Sequence, residues 1–207
     1  MRLRKLKNEK EILDSSKYII TNPQEYKGKW NQLFNNDNPI HIEIGSGKGN
    51  FILNNAIKNS NINYIGIERY DSPLSRAIKK IEKYDLPNLK MIRIDAEELN
   101  SVFDKEVDVI YLNFSDPWPK DRHEKRRLTH EHFLKIYDKV FAKDNIIIQK
   151  TDNIKLFEYS ICSLINYGYK LDELNLDLHK EKENIITTEY EEKFMKLGPI
   201  YMAVYKK

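Results

Sequence analysis

The sequence predicts an α/β fold: a doubly wound, mostly parallel sheet of seven strands whose last two form an antiparallel pair. Three observations carry this. Apolar runs of strand length alternate with longer segments of helical period from residue 40 to about 170. The runs are rich in Ile and Val, as strands buried on both faces are. After Gly168 the rhythm breaks.

The first run, 39–44 (PIHIEI), alternates and stops at Gly45; the second, 63–67 (NYIGI), stops at Glu68; the third, 89–94 (LKMIRI), stops at Asp95. The fourth, 107–112 (VDVIYL), runs into Asn113, and the fifth, 145–149 (NIIIQ), ends at Lys150. Apolar spacing predicts helices over 49–59, 72–84, 129–142 and 153–166, the second presenting Leu74, Ala77, Ile78 and Ile81 on one face. Segments 169–175 and 200–205 read as two further strands. No helix long enough for a parallel crossover separates them, so they pair antiparallel. Between them, 190–197 (YEEKFMKL) followed by Gly198 and Pro199 reads as a short helix with stop chemistry.

The 207 residues suit one compact domain, with a basic arm and leading helical segment over 1–38 and the main domain over 39–207. Aromatics at 11% and a near balance of 35 basic against 32 acidic residues argue against disorder. The lone Cys162 excludes an internal disulfide framework and a Cys-rich zinc site, and points to a reducing, cytoplasmic compartment. His130 and His132 lie two apart on a predicted helix and the other histidines are isolated, so no metal is expected. No apolar stretch approaches the roughly 20 residues that span a bilayer. The basic N-terminus runs into Glu9, Glu11 and Asp14, which is not a secretory signal.

In open α/β sheets, ligands bind beyond the carboxyl ends of the strands. Here those ends carry Glu43 with the loop 45–49 (GSGKG), then Glu68, Asp95 and Asp116. Gly45, Gly47 and Gly49 let the backbone turn tightly, Glu68 is placed to accept from ribose hydroxyls, and Asp95 could accept from an adenine amine. The third glycine comes one residue early for a dinucleotide fingerprint, and Lys48 lacks the spacing of a P-loop. Glu43 would repel a pyrophosphate but suits an ammonium and a sulfonium, so S-adenosyl-L-methionine fits better than NAD or ATP.

Three stretches, 43–49 (EIGSGKG), 113–127 (NFSDPWPKDRHEKRR) and 188–194 (TEYEEKF), resemble the bacterial tRNA (guanine-N7-)-methyltransferase family over essentially the whole chain. The resemblance implies a class I, Rossmann-like methyltransferase that moves a methyl group from S-adenosylmethionine to N7 of guanosine 46 in the tRNA variable loop. It implies cofactor contacts at Glu43, Glu68, Asp95 and Asp116, the last also orienting cofactor and base. Substrate contacts are implied at Lys120, Asp152, Thr188, Glu189, Tyr190 and Glu191, and RNA contacts at Arg122, His123, Glu124, Lys125, Arg126 and Arg127. The short Lys- and Asn-rich N-terminal arm departs from the family's pattern.

Plainer readings stand beside these. Asp152 reads as the N-cap of the helix starting at Ile154, and Thr188 with Glu191 spells a capping box. Glu68 and Asp95 could be solvated caps, and Trp118 either stacks on a base or packs the Pro-Trp-Pro turn. Arg126 and Arg127 could open the 129–142 helix, although helix N-termini disfavour cations. A small-molecule methyltransferase or a non-catalytic RNA-binding module on the same fold are the alternative functions, and both a monomer and a homodimer stay open. The net charge of +3 conceals a pattern: residues 1–10 carry +4 and 117–130 carry +3, whereas 172–192 carries −6. Two basic surfaces of this kind suit a phosphate backbone.

Overall fold

The computed structural model describes residues 8–207. Most of the basic arm, residues 1–7, lies outside them. The chain opens with α1 (Glu9–Ser15), β1 (Ile19–Ile20), a 3-10 turn (Pro23–Tyr26) and α2 (Trp30–Phe34). The expected alternation follows: β2 (Ile40–Ile44), α3 (Asn50–Lys58), β3 (Asn63–Ile67), α4 (Asp71–Ile81) and β4 (Leu89–Ile92). After a 3-10 turn (Ala96–Glu98) come α5 (Leu99–Val102), β5 (Val107–Asn113), a third 3-10 turn, this one basic (Asp121–Arg126), α6 (Glu131–Val140), β6 (Phe141–Thr151) and α7 (Ile154–Asn166). The chain closes with β7 (Lys170–Asn175), α8 (Leu178–Glu181), α9 (Glu189–Phe194) and β8 (Tyr201–Lys206).

The strands form one sheet in the order β1-β4-β3-β2-β5-β6-β8-β7. Pairing is parallel from β1 to β6, and β8 runs antiparallel to both of its neighbours. The seven expected strands are all present. The eighth, β1, is two residues long, too short for a periodic signal, and pairs with β4 through Ile19 and Ile20. The 129–142 helix ends two residues early because Phe141 leaves the helical region and starts β6.

Alternation within the strands assigns the layers. Ile40, Ile42 and Ile44 of β2 enter one core with residues of α2, α5, α6 and α7. Residues of α1, α3 and α4 fill a second core on the opposite face, and α8 with β8 extends that face towards β6. The leading segment belongs to the body of the fold. Trp30 is fully buried, stacks on Phe103 at 5.2 Å and donates its indole N–H to the Val102 carbonyl at 2.9 Å. Glu106 accepts from the backbone N–H groups of Gly28 and Trp30 at 2.8 and 3.0 Å, pinning this segment to the start of β5. Among the described residues, no helix is long and apolar enough to cross a membrane.

Candidate functional site

Strand order reverses between β2 and β5, so the crevice of this sheet lies at their carboxyl ends. Glu43 on β2, Asn113 on β5 and Lys150 on β6 lie at the ends of three adjacent strands, and Asn113 and Lys150 are register partners. Glu43 is only 2% exposed. Its Oε1 accepts from Asn113 Nδ2 at 2.9 Å. Glu43 Oε2, Asn113 Oδ1 and Ser46 Oγ are buried without a hydrogen-bond partner among the described residues. Burial pushes the Glu43 carboxyl up to about 8, against the opposing pull of Asn113 and the Lys150 charge. Native folds rarely leave such acceptors orphaned, and a bound ammonium group would satisfy them while restoring the carboxylate. The donor set therefore fits the amino-acid end of S-adenosylmethionine.

The glycine loop wraps this point. Gly45, Gly47 and Gly49 all have positive φ, at 78°, 56° and 78°. Gly49 has a second constraint: a Cβ there would lie 2.8 Å from the Ala77 Cβ, so the loop can pack onto α4 only without a side chain. The N–H groups of Gly45 and Ser46 both donate to the Ile67 carbonyl at 2.9 Å, and Gly47 donates to Glu68 Oε2 at 3.0 Å. Glu68 Oε1 accepts from Tyr70 N at 2.9 Å. Glu68 is thus a buried brace of the loop and not a solvated cap, with burial raising its pKa and these backbone donors opposing the rise. Asp95 does cap: it takes part in a capping box with Glu98 and forms an ion pair with Arg69 at 3.2 Å.

The motif after β5 bends through Phe114 (φ 51°) and Trp118 (φ 41°), left-handed conformations uncommon for aromatic residues. Asp116 and Lys120 are exposed at the rim. Trp118 packs inside the turn: Arg126 stacks over it at 4.8 Å and His123 meets its edge at 5.7 Å. Residues 121–126 form the basic 3-10 turn and not the start of α6, whose N-cap is His130. Within the 122–127 run the roles divide. Arg122, Lys125 and Arg126 are exposed. Arg127 instead donates to the Pro117 and Trp118 carbonyls at 3.2 and 3.1 Å and stacks over Tyr159 at 4.3 Å, while the Glu124 carboxylate, after burial, helps to raise the Tyr159 pKa. These two hold the turn onto α7. A groove of about 490 Å³ runs between turn and helix, lined by Glu124, Tyr159 and Cys162 among others. None of the strand-end residues lines it, so it is distinct from the crevice.

The segment from Thr188 into α9 lies at the same end of the sheet, where Glu191 meets Lys150 of β6. Thr188 and Glu191 form the expected capping box. Glu191 is fully buried, with Oε2 on Lys150 Nζ at 2.7 Å and Oε1 on His179 Nε2 at 3.0 Å. Both of its oxygens thus have side-chain partners within the protein. Asp152 is not the N-cap of α7; Asn153 is, accepting from Leu156 N at 2.9 Å. Asp152 instead accepts from the Tyr190 hydroxyl at 2.8 Å, and burial together with that carboxylate pushes Tyr190 up to about 12. Tyr190 lies against Phe114 at 5.0 Å and Phe194 at 4.3 Å, a half-open aromatic surface. Glu189 pairs with Lys80 of α4, and Lys80 also donates to Asn50 at 2.6 Å. Strand-end polarity could have marked Asn113 and Lys150 from the sequence; nothing in the local pattern marks Lys80 or Phe114.

Comparison with known proteins agrees with this geometry. A family model described as "Putative methyltransferase" matches residues 37–203. The chain is 50% identical over 208 residues to the tRNA (guanine-N(7)-)-methyltransferase of Lachnoclostridium phytofermentans, covering 99% of this chain and 97% of that one. It is 53% identical over 195 residues to the Bacillus subtilis protein of the same name, covering 93% and 92%. A solved structure titled "Structure of an Antibiotic Related Methyltransferase" superposes with a TM-score of 0.66 at 20% identity, covering 87% of this chain and 92% of that one, a likeness of fold. With whole-length identity at this level and the motif residues gathered at one end of the sheet, the chain belongs to the tRNA (guanine-N7-)-methyltransferase family.

Proposed function

We propose that this protein transfers a methyl group from S-adenosylmethionine to N7 of a guanosine in tRNA, the guanosine at position 46 of the variable loop. The observation that carries the reading is the strand-end constellation. Glu43, Asn113 and Ser46 hold unsatisfied polar atoms suited to an ammonium, and the loop that follows Asn113 carries the basic turn and Phe114, against which Tyr190 lies. The names of relatives about half identical over nearly the full length support the same substrate.

S-adenosylmethionine supplies the methyl group as a sulfonium, whose carbon–sulfur bond breaks as the bond to N7 forms. Guanine N7 carries an in-plane lone pair and no proton, so the transfer leaves a cationic guanosine and needs no base to remove a proton. The site is built accordingly. It has carboxylates, aromatic faces and backbone dipoles, and its task is to align N7 with the methyl carbon, for which orientation is worth on the order of 7–11 kcal/mol. Glu43 and Asn113 anchor the amino-acid end, and Glu68 braces the loop beneath the nucleoside. Asp116, exposed at the rim, orients cofactor and base. Thr188, Tyr190 and Asp152 face the guanine, where acceptors can read its N1–H and amino group and the ring can stack. Arg122, Lys125 and Arg126 grip phosphates.

The test is a methyl-transfer assay with tRNA transcripts that carry guanosine at position 46 or a replacement there. Labelling confined to the first is expected. Equal labelling of both refutes the target, and no labelling of either refutes the activity.

A further inference from the structure

The run Ile146, Ile147, Ile148, Gln149 ends in a lysine that a strand tip would normally hold out to solvent. Lys150 is instead 3% exposed. Its Nζ donates to Glu191 Oε2 at 2.7 Å and to the Ile186 carbonyl at 2.9 Å, and stands 4.9 Å from the centre of the Phe51 ring on α3. Glu191 Oε2 in turn accepts from Thr188 N at 3.2 Å. The Lys150 carbonyl accepts from Phe114 N at 2.8 Å, so the same residue also sets the first bend of the motif loop. Burial lowers the Lys150 pKa, and the carboxylates of Glu191 and Glu43 counter this.

Buried ion pairs are a poor way to gain stability, because apolar residues of similar shape usually serve the fold as well. What such a pair does offer is direction: two charges with fixed hydrogen bonds admit one arrangement of the chains that carry them. We propose that Lys150 is a positioning residue for the methyl transfer. It holds the 186–191 strap at the carboxyl ends of β5 and β6, so that Thr188, Tyr190 and Asp152 face the same crevice as Glu43. The inference rests on the reading of that strap as the guanine site. It also explains why Glu191 belongs to the motif without offering a free oxygen to substrate.

Lys150→Met alone strands the Glu191 charge in the interior, so the informative variant is Lys150→Met combined with Glu191→Gln. It removes both charges and keeps a Thr-x-x-Gln capping box. With circular dichroism and thermal unfolding establishing the fold, S-adenosylmethionine affinity by calorimetry is expected within about threefold of wild type, and KM for tRNA at least roughly tenfold higher. A second variant, Glu191→Gln alone, leaves the Lys150 charge without its buried partner but keeps the bond from Lys150 to the Ile186 carbonyl; it should lose stability, and its folded fraction is expected to show KM raised in the same direction by less. A purely structural pair would lower stability and leave KM of the folded fraction unchanged. Wild-type KM in both variants, or equal losses of cofactor and tRNA binding, overturns the proposal. Wild-type protein assayed alongside separates the cases: an inactive wild type refutes the function reading, and an active wild type with indifferent variants refutes only the role of Lys150.

Discussion

Glu43→Gln tests the logic of the cofactor crevice, because the same burial that suits Glu43 to a cation works against the fold. In the unfolded chain its carboxyl titrates near 4.5, and in the folded protein burial moves it to about 8. Between those values the folded state holds a proton that the unfolded state has released, so stability falls as pH rises across this window. The full difference corresponds to on the order of 5 kcal/mol. Below about pH 4.5 the acid is neutral in both states and contributes nothing to the slope. The glutamine side chain of the variant cannot ionise, and its amide can donate to the orphaned Asn113 Oδ1, so the variant should escape the loss. Urea unfolding at about pH 5.5, 7 and 9 should show Glu43→Gln gaining on wild type progressively, by several kcal/mol at the highest pH. Calorimetry near neutral pH should show the opposite trend in function. Loss of a charge-assisted contact worth roughly 1.5–3 kcal/mol weakens S-adenosylmethionine by about one to two orders of magnitude. Wild-type binding near neutral pH should also release a proton, seen as a heat that depends on the buffer. A stability difference that is flat with pH, together with unchanged cofactor affinity, would refute the reasoning.

The basic turn divides into residues that meet RNA and residues that hold the turn. Arg122→Ala with Arg126→Ala should weaken tRNA binding and lower the slope of log affinity against log salt by about two, leaving cofactor binding intact. Arg127→Ala, which removes the bonds to the Pro117 and Trp118 carbonyls, should cost about 1–3 kcal/mol of stability in chemical denaturation. If the three substitutions behave alike in both assays, that division is wrong. Gly49→Ala forces a Cβ to within 2.8 Å of Ala77 at a positive φ and should destabilise by about 1–3 kcal/mol; a midpoint unchanged in urea would show that the loop relaxes freely.

Much of the architecture was legible in the sequence because its signals are local. The Ile-rich runs ending at Gly45, Glu68 and Asp95 alternate with helical stretches, and the loss of that rhythm after Gly168 marked the antiparallel pair; β2, β3, β7 and β8 fall within a residue of their expected bounds. The elements missed, β1, α2, α5 and α8, span two to five residues and are held by tertiary contacts such as the Trp30 indole on Val102. Periodicity cannot register a segment that spans barely one repeat.

For the site, the sequence by itself determined which residue types stand at the strand ends, and the motif block determined the family. It could not tell a solvated cap from a buried brace: Asp95 proved the first and Glu68 the second. Only the tertiary structure decided that Glu43, Asn113 and Lys150, separated by many residues, end three adjacent strands, and that Glu191 is spent on Lys150 and His179. The physical reason is that a carboxylate's role depends on what surrounds it. Burial, an orphaned oxygen or an occupied one are properties of neighbours brought together by strand order, and no local pattern in the chain encodes them.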